Sequence, residues 1–227
     1  MNRNKNSQDE WAARAPFLDL PVASSPDAGV IACDRGGLGI ASVLARRGRY
    51  EEFAGKCRQR FGVELLSGPR RSIGEDIAFI ATGPNAWLAT REDDANGLAV
   101  ELAEALDDCA AIADQSDGQA VLRLSGPKTR ETLCKLVPID LHPRAFAVGD
   151  VAVTVAAHMG ATLWRLPDEP KGHAVFEIAV YRSLAANFWT ALTESAAEYG
   201  FGRVNYEAGA LATVHEARAY ERHIARR

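Results

Sequence analysis

The sequence predicts an α+β protein made of two split β-α-β-type halves, each an antiparallel sheet with helices packed on one face, plus a C-terminal amphipathic helix. Three observations lead there. Short apolar runs with strand character are broken by Gly, Pro and Asn turns. Between them lie segments whose apolar residues recur at the 3.6-residue period of a helix. The order strand, helix, strands, helix then occurs twice, a plan suited to helices on one face of each of two antiparallel sheets.

The elements follow in order. Residues 1–28 carry Pro16, Pro21 and Pro26 without periodicity and read as an extended or disordered arm. The first half covers about residues 29–108. In it LGIASVLARRG (38–48) alternates as a strand, and Tyr50, Phe53, Ala54, Cys57 and Phe61 form a helical stripe. DIAFIATGPNAWLATRE (76–92) is a hairpin broken at Gly83-Pro84-Asn85, and ANGLAVELAEALDD (95–108) a helix with Leu98, Leu102 and Leu106 on one face.

The second half covers about residues 109–200. QAVLRLS (119–125) is a strand, and Gly126-Pro127 opens a helix carrying Leu133, Leu136 and Val137, since Pro suits a first helical turn. VAVTVAAHMGATLWRLP (151–167) and HAVFEIAVY (173–181) supply further strands. SLAANFWTALTESAAEYG (183–200) is a helix with Leu184, Phe188, Leu192 and Tyr199 in register and Gly200 as its stop. The tail, 201–227, reads as helical, with Tyr206, Ala210, Val214, Ala217 and Ile224 along one side.

Composition narrows the classes of function. The 227 residues are 47% apolar and 25% charged with a net charge of −4, a balance that disfavours a general nucleic-acid binder. No apolar run approaches the roughly 20 residues of a membrane span. The start, MNRNKNSQDEW, has no hydrophobic stretch behind its positive charges, so a cytoplasmic location is expected. Cys33, Cys57, Cys109 and Cys134 are widely spaced, and no Cys or His pair has zinc-ligand spacing, which points to reduced thiols. Residues 46–71 carry eight Lys/Arg against three Glu, whereas residues 75–117 carry eleven Asp/Glu against Arg91 alone. Such runs are either solvated faces or oppositely charged surfaces that orient the chain in an assembly.

Each local candidate site has a plainer structural explanation. Gly37-x-Gly39-x-x-Ser42 nearly fits a dinucleotide fingerprint, but Ser stands in the third position and Gly48 would interrupt the helix that must follow. Ser125 before Gly126 lacks a nucleophile elbow. His158 and His173 lie at strand ends without acidic or cysteine neighbours at ligand spacing. Asp114, Ser116 and Asp117 suit a turn.

The octet IDLHPRAF (139–146) gathers an acid, an imidazole and a guanidinium. Pro143 disfavours helix at His142, so the segment is extended or turned. If extended, it projects Asp140, His142 and Arg144 to one side and Leu141 and Ala145 to the other. No second cluster accompanies it, so no residue is assigned a catalytic, cofactor-binding or metal-ligating role. Asp140, His142, Pro143, Arg144 and Phe146 stand as a structural or subunit-contact motif.

Several linked motifs then point to a family. DQSD, VLRLSGP, IDLHPRAF, a strand ending in Leu163-Trp164, Arg182-Ser183 before an aromatic helix, and AAEYG occur in order over about ninety residues. GPRR (68–71) and GPNAWL (83–88) extend the pattern upstream. Over most of residues 38–200 the chain resembles the gamma subunit of heterotetrameric sarcosine oxidase, a family similar to the folate-binding domain of the glycine-cleavage T-protein. The resemblance implies a two-part α+β fold and a place beside alpha, beta and delta subunits. Their complex oxidatively demethylates sarcosine and passes the one-carbon unit to tetrahydrofolate. It implies FAD, FMN, NAD, tetrahydrofolate and zinc on the partners and none of them on this chain. TVAAHMGATLWRL (154–166) lacks the Asn and acidic pair of the catalytic T-protein pattern, which implies a fold retained without its chemistry. Two alternatives stay open: the equivalent subunit of a related N-methyl amino acid dehydrogenase, acting for example on N-methylglutamate, or a stand-alone folate-binding aminomethyltransferase-like protein.

Overall fold

The computed structural model describes residues 16, 17, 20, 27–92, 94 and 97–204. The helix expected after residue 204 and most of the N-terminal arm lie outside these residues.

Among the described residues the chain builds two sheets from an unequal division of its length. Five strands form the first: β2 (Gly39–Ala45), β3 (Arg71–Ile73), β4 (Ile77–Gly83), β5 (Ala86–Arg91) and β6 (Ala110–Asp114), in the order β3-β4-β5-β2-β6. Six form the second: β1 (Val30–Asp34), β7 (Gln119–Ser125), β8 (Val151–Ala156), β9 (Met159–Leu166), β10 (Val175–Tyr181) and β11 (Phe201–Val204), in the order β11-β1-β7-β10-β9-β8. The smaller sheet comes from one continuous stretch, whereas the larger takes its strands from both sides of that stretch. Pairing is antiparallel throughout except between β1 and β11, which run parallel with Val30 opposite Phe201.

Among the described residues each sheet carries helices on one face only, as the sequence predicts. Helices α1 (Tyr50–Phe61) and α2 (Leu98–Leu106) cover the five-stranded sheet, where Phe53, Cys57, Phe61, Leu98, Leu102 and Leu106 meet Val43, Phe79 and Trp87. Helices α3 (Thr129–Leu136) and α4 (Ala185–Ala196) cover the six-stranded sheet, where Leu133, Phe188, Trp189 and Leu192 meet Leu122, Leu163 and Phe176. The uncovered faces pack on each other through Ile40, Ile80 and Leu88 on one side and Val121, Trp164 and Ala179 on the other. The result is four layers, helices–sheet–sheet–helices.

Local chemistry sets the boundaries. Gly62 ends α1 in the left-handed conformation at φ 63°, and its N–H and that of Val63 bond back to the carbonyls of Arg58 and Cys57, closing the helix end. Gly39 starts β2 where a Cβ would lie 2.1 Å from the Asp94 carbonyl oxygen, so only glycine admits that approach. Pro127 lies before the helix, not in its first turn: α3 begins at Thr129, and Lys128 N–H bonds to the Gly29 carbonyl. The stretch expected to start the helical tail opens instead with β11. The N–H groups of Gly29 and Val30 take the carbonyls of Tyr199 and Gly200, and Phe201 buries edge-on against Trp189 at 5.3 Å.

Candidate functional site

The octet Ile139–Phe146 is a tight turn without regular secondary structure, linking α3 to β8. Asp140 Oδ1 accepts from the His142 N–H at 2.8 Å, an Asx turn, and the His142 carbonyl accepts from both Ala145 and Phe146 N–H at 2.8 Å. His142 Nδ1 accepts from the Arg144 N–H at 3.2 Å. Because the chain turns here, Ala145 is exposed, and the apolar anchors are Leu141 and Phe146. Phe146 stacks on Phe176 at 6.3 Å, and Arg130 donates to the Leu141 carbonyl. Asp140, His142, Pro143 and Arg144 are all exposed. Among the described residues nothing pairs with the Arg144 guanidinium.

The remaining sequence candidates are local structure. Asp114 Oδ1 accepts from the Ser116 N–H at 2.9 Å, and Ser116 Oγ accepts from the Ile40 N–H at 3.1 Å. His173 Nδ1 lies 3.3 Å from Glu169 Oε2. Ala157 and His158 form the β8–β9 turn, both at positive φ, 46° and 68°. The Gly-rich stretch after β1 is a turn closed by the Leu38 N–H on the Arg35 carbonyl, and it hands the chain from one sheet to the other. The oppositely charged runs come into contact. They meet along α1 and α2, where Lys56 approaches Asp108 at 3.9 Å, and the groove between these helices is lined by Lys56, Arg60, Glu101 and Glu104.

The sequence reading missed a charged cluster between the sheets. Glu177 on β10 is 5% exposed, and its Oε1 accepts from Arg35 Nε at 3.0 Å and Arg123 Nε at 2.9 Å. Its Oε2 accepts from the Trp164 indole N–H at 2.8 Å, and Arg35 also pairs with Glu92. Burial alone would push the Glu177 carboxyl up, but the Arg123, Arg35 and Arg71 charges win and hold it down at about 2. Glu177 is therefore a fixed anion that cannot exchange protons near neutral pH. The signal was an isolated charge in each apolar strand, Arg123 in VLRLS and Glu177 in FEIAV.

This four-layer architecture defines a class. It matches a chain of the heterotetrameric sarcosine oxidase from Corynebacterium sp. U-96, solved in complex with pyrrole 2-carboxylate, at a TM-score of 0.70 and 24% identity, covering 82% of this chain and 96% of that one. It also matches the glycine cleavage system aminomethyltransferase T of Bartonella henselae at a TM-score of 0.59 and 14% identity, covering 78% and 48%. At these identities the likeness is one of fold, that of the T-protein-like α+β proteins.

The sequence goes further: residues 50–198 match the model of the sarcosine oxidase, gamma subunit family, and the chain belongs to that family. It is 40% identical over 96 residues to the sarcosine oxidase subunit gamma of Corynebacterium sp. (strain P-1), covering 42% of this chain and 47% of that protein. It is 38% identical over 109 residues to that of an Arthrobacter species, covering 48% and 53%. The chain thus spans about half the length of the curated relatives it matches.

Proposed function

We propose that this chain is a non-catalytic gamma subunit of a heterotetrameric sarcosine oxidase, a flavin-dependent complex that oxidatively demethylates sarcosine and passes the one-carbon unit to tetrahydrofolate. In this reading alpha, beta and delta subunits supply FAD, FMN, NAD, tetrahydrofolate and zinc, and this cytoplasmic chain supplies structure. The family match across residues 50–198 carries the proposal. The chemistry supports it: the buried carboxylate Glu177 is held ionised by two guanidinium groups and an indole, so its acid–base capacity is committed to structure.

The exposed turn Asp140–Phe146 is proposed as a subunit contact. It is rigid at its apolar roots, Leu141 and Phe146, and it presents Arg144 without an internal partner among the described residues. Co-expression with the neighbouring subunits tests both statements. Arg144→Ala and His142→Ala are expected to weaken assembly about tenfold for each ~1.4 kcal/mol of binding free energy they remove, and so to lower the yield of complex. Turnover per assembled complex should stay unchanged; normal assembly with abolished turnover would show instead that the turn is catalytic. Saturable binding of tetrahydrofolate to the isolated chain in calorimetry would favour a folate-dependent enzyme over a structural subunit.

A further inference from the structure

Among the described residues one edge of the six-stranded sheet is left open. Among the described residues β8 is its terminal strand, paired on one side only, with β9. Arg165 N–H bonds to the Asp150 carbonyl, so residues of that parity face β9. Val151 has the opposite parity, and its N–H donates outward to the Pro69 carbonyl at 2.9 Å. The antiparallel repeat then aims the N–H and C=O groups of Val153 and Val155 away from β9 as well. The 68–70 segment pairs with β8 only at its start, because the Arg70 carbonyl then takes the Ala81 N–H as the chain enters β3.

Side chains mark the same place. Val151 packs in the inter-sheet core, but Val153 and Val155, on the same face, lie outside it and are 59% and 45% exposed. Natural sheet edges are commonly blunted by charges, prolines or bulges. Residues 151–157, VAVTVAA, contain neither charge nor proline, and the β8–β9 register runs without a shift.

We infer that the outer edge of β8 from Val153 to Ala156 is a docking site for an extended strand of another subunit, which lengthens this sheet and brings a carboxylate to Arg144. The inference rests on the subunit reading above. Two points identify the occupant. Four residues of edge extend only about 13 Å, so a symmetric pair of copies held there alone would fall far short of the ~1,200 Å² that a specific interface buries. The occupant must also cover other surface. The connector carrying the exposed turn is pinned to both ends of β8, at the Leu136 carbonyl, which accepts from the Ala157 N–H, and at Asp150. Its Arg144, without a partner among the described residues, calls for an acidic one.

Hydrogen exchange resolved at single amides tests this, on the chain alone and on the complex co-expressed with its alpha, beta and delta subunits. Val153 and Val155 should exchange freely in the isolated chain and at least about tenfold more slowly in the complex, since a bonded amide must open to exchange. Val155→Pro removes an outward donor and leaves the β8–β9 ladder whole. It should reduce complex yield while the isolated chain melts as the wild type does. Unchanged exchange in an assembled complex, or full assembly by Val155→Pro, overturns the docking site and leaves the subunit reading standing. Protection in the isolated monomer would assign the edge to this chain's own segments, and protection in a dimer to a second copy; either overturns the proposal. Failure of the wild-type chain to join any complex removes the subunit reading and the docking site with it.

Discussion

Arg123 and Glu177 stand directly opposite each other on neighbouring strands, and Arg123 Nη2 lies 2.7 Å from Glu177 Oε1. The pair sits between two sheets, and removing Glu177 would take from Arg123 and Arg35 the carboxylate that they share. Glu177→Gln should destabilise the fold by about 3–5 kcal/mol, the usual cost of stranding a buried partner. Denaturant unfolding of the isolated chain measures it. A change below about 1 kcal/mol would mean that water reaches the cluster.

The same carboxyl predicts the acid limb of stability. Its pKa in the folded chain, about 2, lies below the ordinary 4.5 of an unfolded glutamate. The stabilisation is therefore fully present above pH 4.5 and is lost as pH falls toward 2, roughly 3 kcal/mol in all. Melting temperature followed from pH 6 to pH 2 should fall through that window, and Glu177→Gln should flatten the fall.

Thiol reactivity should be sharply divided. Cys33, Cys57 and Cys109 are buried and Cys134 is exposed. Burial pushes the Cys57 thiol up to about 12 and raises those of Cys33 and Cys109, so little thiolate forms at neutral pH. A chromogenic disulfide reagent should titrate one thiol in the native chain and all four after unfolding.

The turn that bears Arg144 separates anchoring from presentation. Leu141 is 0% exposed, and Leu141→Ala should cost about 2–5 kcal/mol of stability by leaving a cavity under the turn. Arg144→Ala should change stability by less than about 0.5 kcal/mol, because the side chain is exposed and has no partner among the described residues. Thermal melts of both variants decide the matter; equal losses would mean that Arg144 holds the turn in place.

Elements with a strong period were legible in the sequence. Helices α1, α2 and α4 announce themselves through stripes such as Phe53–Cys57–Phe61 and Leu98–Leu102–Leu106. The strands that escaped notice lack such a pattern. The short strand β3 has three residues, β6 is an Ala-rich and mostly exposed edge, and β11 has four residues including Gly202. Strands β6 and β11 pair with strands distant in sequence, β2 and β1, while β3 pairs with the adjacent β4 but is too short to show a period. The turn at Pro143 followed from proline chemistry, although its second anchor is Phe146 and not Ala145. The Glu177 cluster joins Arg35, 142 residues away, and Arg123, 54 away, and no local pattern encodes such a meeting.

The nesting of one sheet within the other gives the chain a direction of assembly. Strands β2–β6 lie in a continuous run from Gly39 to Asp114, so that sheet has all its strands once the ribosome has delivered half of the polypeptide. Strand β1 is made before any of them, yet its neighbours β7 and β11 come later, and β11 is the last described strand to emerge. Val30–Asp34 must therefore wait unpaired until β7 emerges, and its other neighbour β11 follows only after the remaining strands. Slow closure of that gap, set by long-range pairing, makes this segment the point where a nascent chain is most open to mispairing or to a chaperone.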